Sequence, residues 1–218
     1  MNLPRLSASD LGNPDVKLTH HLMTLYWRGT LELTETNGLL MLFFNKANDT
    51  LRAQALAFVG RTLQGVKGEV SQEVKARFMT LWTWRLEVAN ASNLKNPFNE
   101  ELSAFGDWFV SKKFDECWAI NQLEEALKLT GWAEPDRQVV EYMAELATRM
   151  PLLVVRCFSL MTDNERPRWF LDAWGQSPRT ILATAINSDD STAREAAIEE
   201  VNRLGARGYL GFRDLLPK

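Results

Sequence analysis

Two histidines, two cysteines and one glycine-spaced stretch are where this sequence offers chemistry, and each is answered by its spacing. His20 and His21 are the only histidines. Neighbours on a helix point about 100° apart, so this pair does not grip one metal ion as an i, i+4 pair would, and no third ligand is spaced to help. Neither sits in a motif that would build a Ser-His-Asp or Cys-His group. GRTLQGVK, Gly60 to Lys67, suggests a phosphate-binding loop, but such a loop ends Gly-Lys-Ser/Thr after a buried strand. Here the end is Gly65-Val66-Lys67-Gly68, and an amphipathic helix precedes it. Cys117 and Cys157 each lie within an apolar run; they could in principle pair, but they read first as buried free thiols of a reducing compartment. The adjacent carboxylates Glu124-Glu125 and Glu199-Glu200 read as solvated helix faces, with Glu199 four residues before Arg203 as a helical ion pair. No catalytic residue, metal site or cofactor follows.

What remains is recognition. The chain has eight tryptophans, most of them on or beside apolar stripes. Trp84 and Trp108 sit next to a stripe rather than on its line. Tryptophan and arginine together are the residues that anchor protein interfaces. The candidate partner-binding set is therefore Trp84, Arg85, Trp108, Arg168, Trp169 and Trp174.

The elements that must position these residues are helices throughout. DRQVVEYMAELATRM places Val139, Met143, Leu146, Ala147 and Met150 on one face. Leu51, Ala55, Val59 and Leu63 form a second stripe, and Val74, Phe78, Leu81, Trp82 and Leu86 a third. No apolar-polar alternation of strand type runs between turn signals. Asn48, Ser71, Asp136 and Ser177 stand where N-caps belong, Pro151 and Pro178 at first helical positions, and Gly131 and Gly205 at helix ends. The pattern predicts about twelve helices of roughly 10 to 18 residues, paired as about six antiparallel hairpins.

The segment beginning Asp49-Thr50-Leu51-Arg52 aligns with Ser191-Thr192-Ala193-Arg194, sharing Thr, Arg, Ala, Val and Arg over thirteen positions. A polar cap, then arginine, then small apolar residues, then a branched one resembles the HEAT repeat. Ala193, Ala196 and Ala197 would let a neighbouring helix approach, Ile198, Val201 and Leu204 would fill the layer between hairpins, and Arg194 would reach an aspartate or carbonyl in the adjacent turn. The expected fold is all-α, an α-solenoid of about six HEAT-like hairpins, with one domain over residues 16–218 behind a loosely ordered lead-in of residues 1–15.

The totals agree with a cytoplasmic scaffold. A chain of 218 residues buries roughly 70% of its unfolded surface without a staple. Its 25 basic and 28 acidic residues are spread evenly, with eleven of each sign in residues 1–109. That balance disfavours nucleic acid as a partner. The N-terminus has no secretory pattern, and the longest fully apolar run, residues 39–44, is far short of the about 20 residues that cross a bilayer.

From about residue 75 to 216 the chain resembles the C-terminal helical-repeat region of large bacterial STAND (NACHT-like) NTPases. The marks are Phe105-Gly106-x-Trp108-Phe109, Lys113-Phe114-Asp115, and Arg203-Leu204-Gly205-Ala206-Arg207-Gly208-Tyr209-Leu210-x-Phe212-Arg213-Asp214-Leu215-Leu216. The resemblance implies a ligand-sensing or autoinhibitory scaffold, with a protein or a parent NTPase module as partner. This sequence carries no nucleotide-binding module, so ATP hydrolysis does not transfer. A second reading is a HEAT-like alkylpurine DNA glycosylase, holding a cationic base with Trp108 and Asp107 or Trp174 and Asp172. A third is a homo-oligomer joined through the Tyr209–Leu216 end.

Overall fold

The computed structural model describes residues 14–33, 38–92, 99–163 and 169–217. The protein is all-α: among the described residues there are twelve α-helices and no strand. The chain divides into two compact units, Met1–Asp115 and Glu116–Lys218, where the sequence pattern suggests one domain over residues 16–218. Residues 1–13 of the expected lead-in lie outside the described residues, while Pro14 and Asp15 already form the first turn of α1.

The first unit comprises α1 (Pro14–Trp27), α2 (Leu39–Lys46), α3 (Asp49–Gly65), α4 (Gln72–Ala91), α5 (Asn99–Ser103) and α6 (Phe105–Phe109). Helix α3 packs against α1, α5 and α6. Asn48 and Ser71 cap as expected, accepting the N–H groups of Leu51 at 2.8 Å and Val74 at 3.4 Å. The stripes then bury Ala55, Val59 and Leu63 on α3, and Phe78, Leu81, Trp82 and Leu86 on α4. These meet α5 and α6 in an aromatic core. Trp82 stacks on Phe105 with centroids 4.7 Å apart, and Trp108 stands edge-on to Phe78 and Phe105 at 5.2 and 5.0 Å.

Helix α3 passes very close to α6 at Gly60. A Cβ there would lie 2.8 Å from the Asp107 carbonyl carbon and 2.9 Å from Trp108 Cδ1, with Asp107 Cβ nearer still. Backbone on one side and a buried ring on the other leave no flexible group to yield. Gly60→Ala is therefore expected to cost about 2 kcal/mol through overpacking, read as a lower urea midpoint with unchanged slope.

The second unit comprises α7 (Glu116–Thr130), α8 (Asp136–Leu146), α9 (Pro151–Thr162), α10 (Trp169–Ala173), α11 (Ser177–Ile186), α12 (Ser191–Ala206) and a 3₁₀ turn, Leu210–Leu215. Helix α9 lies against α7 and α12, and α11 against α8, α9 and α12. Contacts fix the relative directions. Glu116 meets Arg149 just before α9, and Ile120 meets Cys157, so α7 and α9 run the same way. Thr162 and Asp163 at the end of α9 meet Glu200 and Arg203 near the end of α12, which gives α12 that direction too.

Several boundaries depart from the sequence reading. Asp136 and Ser177 are first helical residues rather than caps, and the residues that do stand at the caps, Pro135 and Gln176, make no side-chain cap hydrogen bond. Asp136 instead accepts the Trp174 indole N–H at 2.8 Å. Gly131, at φ +63°, ends α7 as expected. Gly205 lies inside α12. Gly208 takes the left-handed position at φ +91°, with the Tyr209 N–H returning to the Leu204 carbonyl at 2.9 Å, a Schellman closure. Helices α5, α6 and α10 have five residues each, below the expected range.

The two aligned segments do share a helical register. Asp49 and Ser191 each follow a capping residue, Asn48 and Asp190. Arg194 donates to the Ser188 carbonyl at 2.7 Å, the contact expected of it, and Arg52 donates to the Ala47 carbonyl. No helix among the described residues is long and apolar enough to cross a membrane.

Candidate functional site: a charged groove over α7, α9 and α12

The parallel run of α7, α9 and α12 leaves an open groove of about 470 Å³ in the second unit. Its floor is one face of α9, where Arg156, Ser159, Leu160 and Asp163 recur at i, i+3, i+4 and i+7, with Val155 beside them. The α12 wall repeats that spacing with Ala196, Glu199, Glu200 and Arg203. Glu124 and Lys128, one turn apart, form the α7 wall. The opposite face of α9 buries Val154, Cys157, Phe158 and Met161, which fixes the polar face outward.

Two carboxylates are sunk in the walls, and each is matched. Glu124 is 4% exposed and meets Arg156 Nη2 at 2.6 Å and Lys128 Nζ at 3.7 Å. Glu200 is 2% exposed, accepts the Thr162 hydroxyl at 2.7 Å, and meets Arg203 Nη2 at 2.8 Å. Arg203 also reaches Asp163 Oδ1 at 2.7 Å and the Ser159 carbonyl at 3.0 Å. Its fork is thereby spent on fixing the end of α9 to α12. These pairings correct the reading of Glu124 and Glu200 as solvated, and Arg203 pairs with Glu200 rather than with Glu199. Glu199, one residue away and about 100° round the helix, is exposed.

Chemically the groove offers charge and shape. Residues 116–218 contain no histidine. Among the described residues no group of three His, Cys, Asp or Glu side chains is placed to hold a metal ion. His20, in the first unit, stacks on Phe58 with centroids 4.0 Å apart and is buried. The cysteines divide: both are free, Cys157 is buried as expected, and Cys117 is exposed, because it lies on the outward side of the first turn of α7. Burial raises the Cys157 thiol far above its ordinary range. At pH 8 the folded chain should therefore take up one equivalent of an aromatic disulfide reagent quickly, at Cys117, and a second only on denaturation.

The residues expected to meet a partner are scattered. Arg85 is 1% exposed, Trp108 0% and Trp174 1%, so these three leave the surface set. Arg85 ion-pairs with Glu101 inside the first unit, with its guanidinium over the rings of Trp84 and Phe44 at 4.7 and 5.2 Å. Trp108 donates its indole N–H to the Leu56 carbonyl at 2.7 Å. Trp84 is half-buried. Arg168 lies outside the described residues, and Trp169 opens α10. With both rings buried, neither Trp108 nor Trp174 presents a face on which a flipped base could stack. Asp107 accepts the Gln64 amide N–H at 3.1 Å.

Comparison with protein-family models, with curated proteins and with solved structures finds no match to this chain. The groove must speak for itself. A polar stripe at helical spacing on α9 and α12, opposite an apolar one, was the available signal. What the sequence conceals is that residues 124 and 156, or 162 and 200, meet.

At the chain's end, Arg179 of α11 pairs with Asp214 and donates to the Gly211 carbonyl at 3.0 Å, holding the 3₁₀ turn. Tyr209, Phe212, Leu215 and Leu216 are half-buried there, and Leu210 is 55% exposed.

Proposed function

We propose that this chain is a non-catalytic helical-repeat scaffold, an α-solenoid whose second unit holds a protein partner in the α7/α9/α12 groove. The observation that carries this reading is the groove itself. Three parallel helices present an apolar strip, Leu160 and Ala196, between walls whose buried carboxylates are already neutralised by arginine. Such a surface supplies shape and charge order without a nucleophile or an acid–base pair, as a recognition site requires. The resemblance of residues 75–216 to the repeat region of STAND-type NTPases extends the reading. The chain would serve as the sensor or regulatory part of such a defence or signalling system, or as a stand-alone relative, acting in the cytoplasm.

The test is affinity capture with the whole chain as bait, beside Ala196→Arg, which fills the groove, and Glu199→Lys, which alters an exposed side chain. A protein retained by the native chain and lost with both variants, at unchanged far-UV circular dichroism, is the expected result. Capture indifferent to both variants refutes the groove. Recovery of nucleic acid that disappears as salt rises would turn the reading toward a DNA-directed activity.

A further inference from the structure

The segment after α12 is held quite differently from the helix that precedes it. Up to Arg207 the chain is fixed, because Arg203 pairs with Asp163 and Arg207 donates to the Thr162 carbonyl, both at the end of α9. Gly208 then takes φ +91°, a conformation open to glycine and disfavoured for other residues, and the helix ends. The 3₁₀ turn that follows packs on α11 and α12 with Phe212 and Leu215 half-buried, yet none of its residues is fully buried. Its polar ties to α11 converge on Arg179, which reaches Asp214 Oδ1 at 3.1 Å and the Gly211 carbonyl at 3.0 Å. Half-buried side chains and an exposed ion pair hold far less firmly than the core of α12, where Ala193, Ala197, Val201 and Leu204 are buried. Residues 209–216 are thus a strap, complementary to its seat, lightly held, and joined to a fixed helix through one glycine.

We infer that this strap is exchangeable, and that the partner taken by the α11/α12 face is a second copy of this chain, each copy laying residues 209–216 on the other. The structure shows one segment that fits this face, and it is the strap itself. A strap from a second copy brings the same Phe212 and Leu215, and the same Asp214 to Arg179. Exchange therefore keeps these contacts and changes only the hinge at Gly208. Two exchanged straps close the pair on a two-fold axis, so association stops at a dimer. Each chain also competes for its own strap, which is tethered beside its seat at an effective concentration of about millimolar. The native pair should accordingly be weak, and whatever penalises self-closure should strengthen it. Exchange of the strap does not depend on what the α7/α9/α12 groove holds.

Charge reversal tests this without touching the core, because Arg179 and Asp214 meet at the surface. Arg179→Glu sets two acids against each other in a closed chain, and Asp214→Arg sets two bases. Mixed, the two variants regain opposite charges at both seats, but only by exchanging straps. Size exclusion with light scattering, at about 100 μM and low salt, should find each variant monomeric alone and the mixture dimeric. Native mass spectrometry should show one copy of each variant in that dimer, and high salt should reduce it. The chain carrying both reversals should behave as the native chain does. Independently, Gly208→Val burdens the left-handed hinge of the closed form, and should raise the association constant at least about tenfold over the native chain. A mixture that stays monomeric, or variants that dimerise as readily alone as together, overturns the inference. So does a Gly208→Val chain that associates no more than the native one at unchanged far-UV circular dichroism.

Discussion

Replacing Glu101 by alanine should destabilise the first unit by about 3–5 kcal/mol, the cost of breaking a buried ion pair from one side. Glu101 is 0% exposed and receives the guanidinium groups of both Arg52 and Arg85, which come from α3 and α4. The carboxylate therefore joins three helices by charge. Asp49 extends the cluster, accepting the backbone N–H groups of Glu100 at 2.8 Å and Glu101 at 3.2 Å and meeting Arg52 at 3.5 Å. Glu101→Ala removes the carboxylate on which both guanidinium groups converge, in a place water reaches poorly. Glu101→Gln keeps the volume and one acceptor but not the charge, and should also cost several kcal/mol. Urea unfolding followed by circular dichroism measures both. Added salt should not rescue either variant, because buried charges are screened far less than exposed ones. A loss below about 1 kcal/mol for the alanine variant would place this cluster with exposed ion pairs of small effect.

That cluster also shows what the sequence made legible. Arg85 falls at i+7 from Phe78, i+4 from Leu81 and i+3 from Trp82, squarely on the buried stripe of α4. Its place in the partner-binding set was therefore at odds with its own helical register, which puts it on the buried face, where an arginine needs a carboxylate partner. Nothing local announced Glu101, sixteen residues on, as that partner. The same division holds in the second unit. The stripes of α8 and α9 were readable at helical spacing, and Gly131 and Pro151 marked true ends. Asp136 misled because a carboxylate at a helix start serves equally well as an acceptor for a distant indole, here Trp174. Glu199 and Glu200 look alike as a dipeptide, but a 100° turn puts one in solvent and the other against Thr162. Local pattern fixes which face of a helix is apolar. Which two faces meet depends on contacts thirty or more residues apart, and the groove is made of those.

Trp108→Ala should cost the first unit about 3–5 kcal/mol as well, the usual range for truncating a fully buried large aromatic side chain. The residue looked like a surface candidate because α6 is five residues long, and so short a helix displays no period from which a buried face is read. In the fold all five residues of α6, Phe105–Phe109, are buried, and the indole fills the space between α3 and α4. It touches Phe78, Trp82, Phe105 and Phe114, and its N–H is held by the Leu56 carbonyl. Trp108→Phe separates the two contributions: it keeps an aromatic ring but loses the hydrogen bond and part of the volume, and should cost about 1–2 kcal/mol. Trp84, half-buried beside Phe44, is the contrasting case, and its alanine variant should lose clearly less than Trp108→Ala. If Trp108→Ala left the urea midpoint in place while abolishing a partner's binding, the indole would belong to an interface after all. If the midpoint falls as expected, any binding lost with it follows from unfolding, and a partner must be sought on surfaces such as the α7/α9/α12 groove.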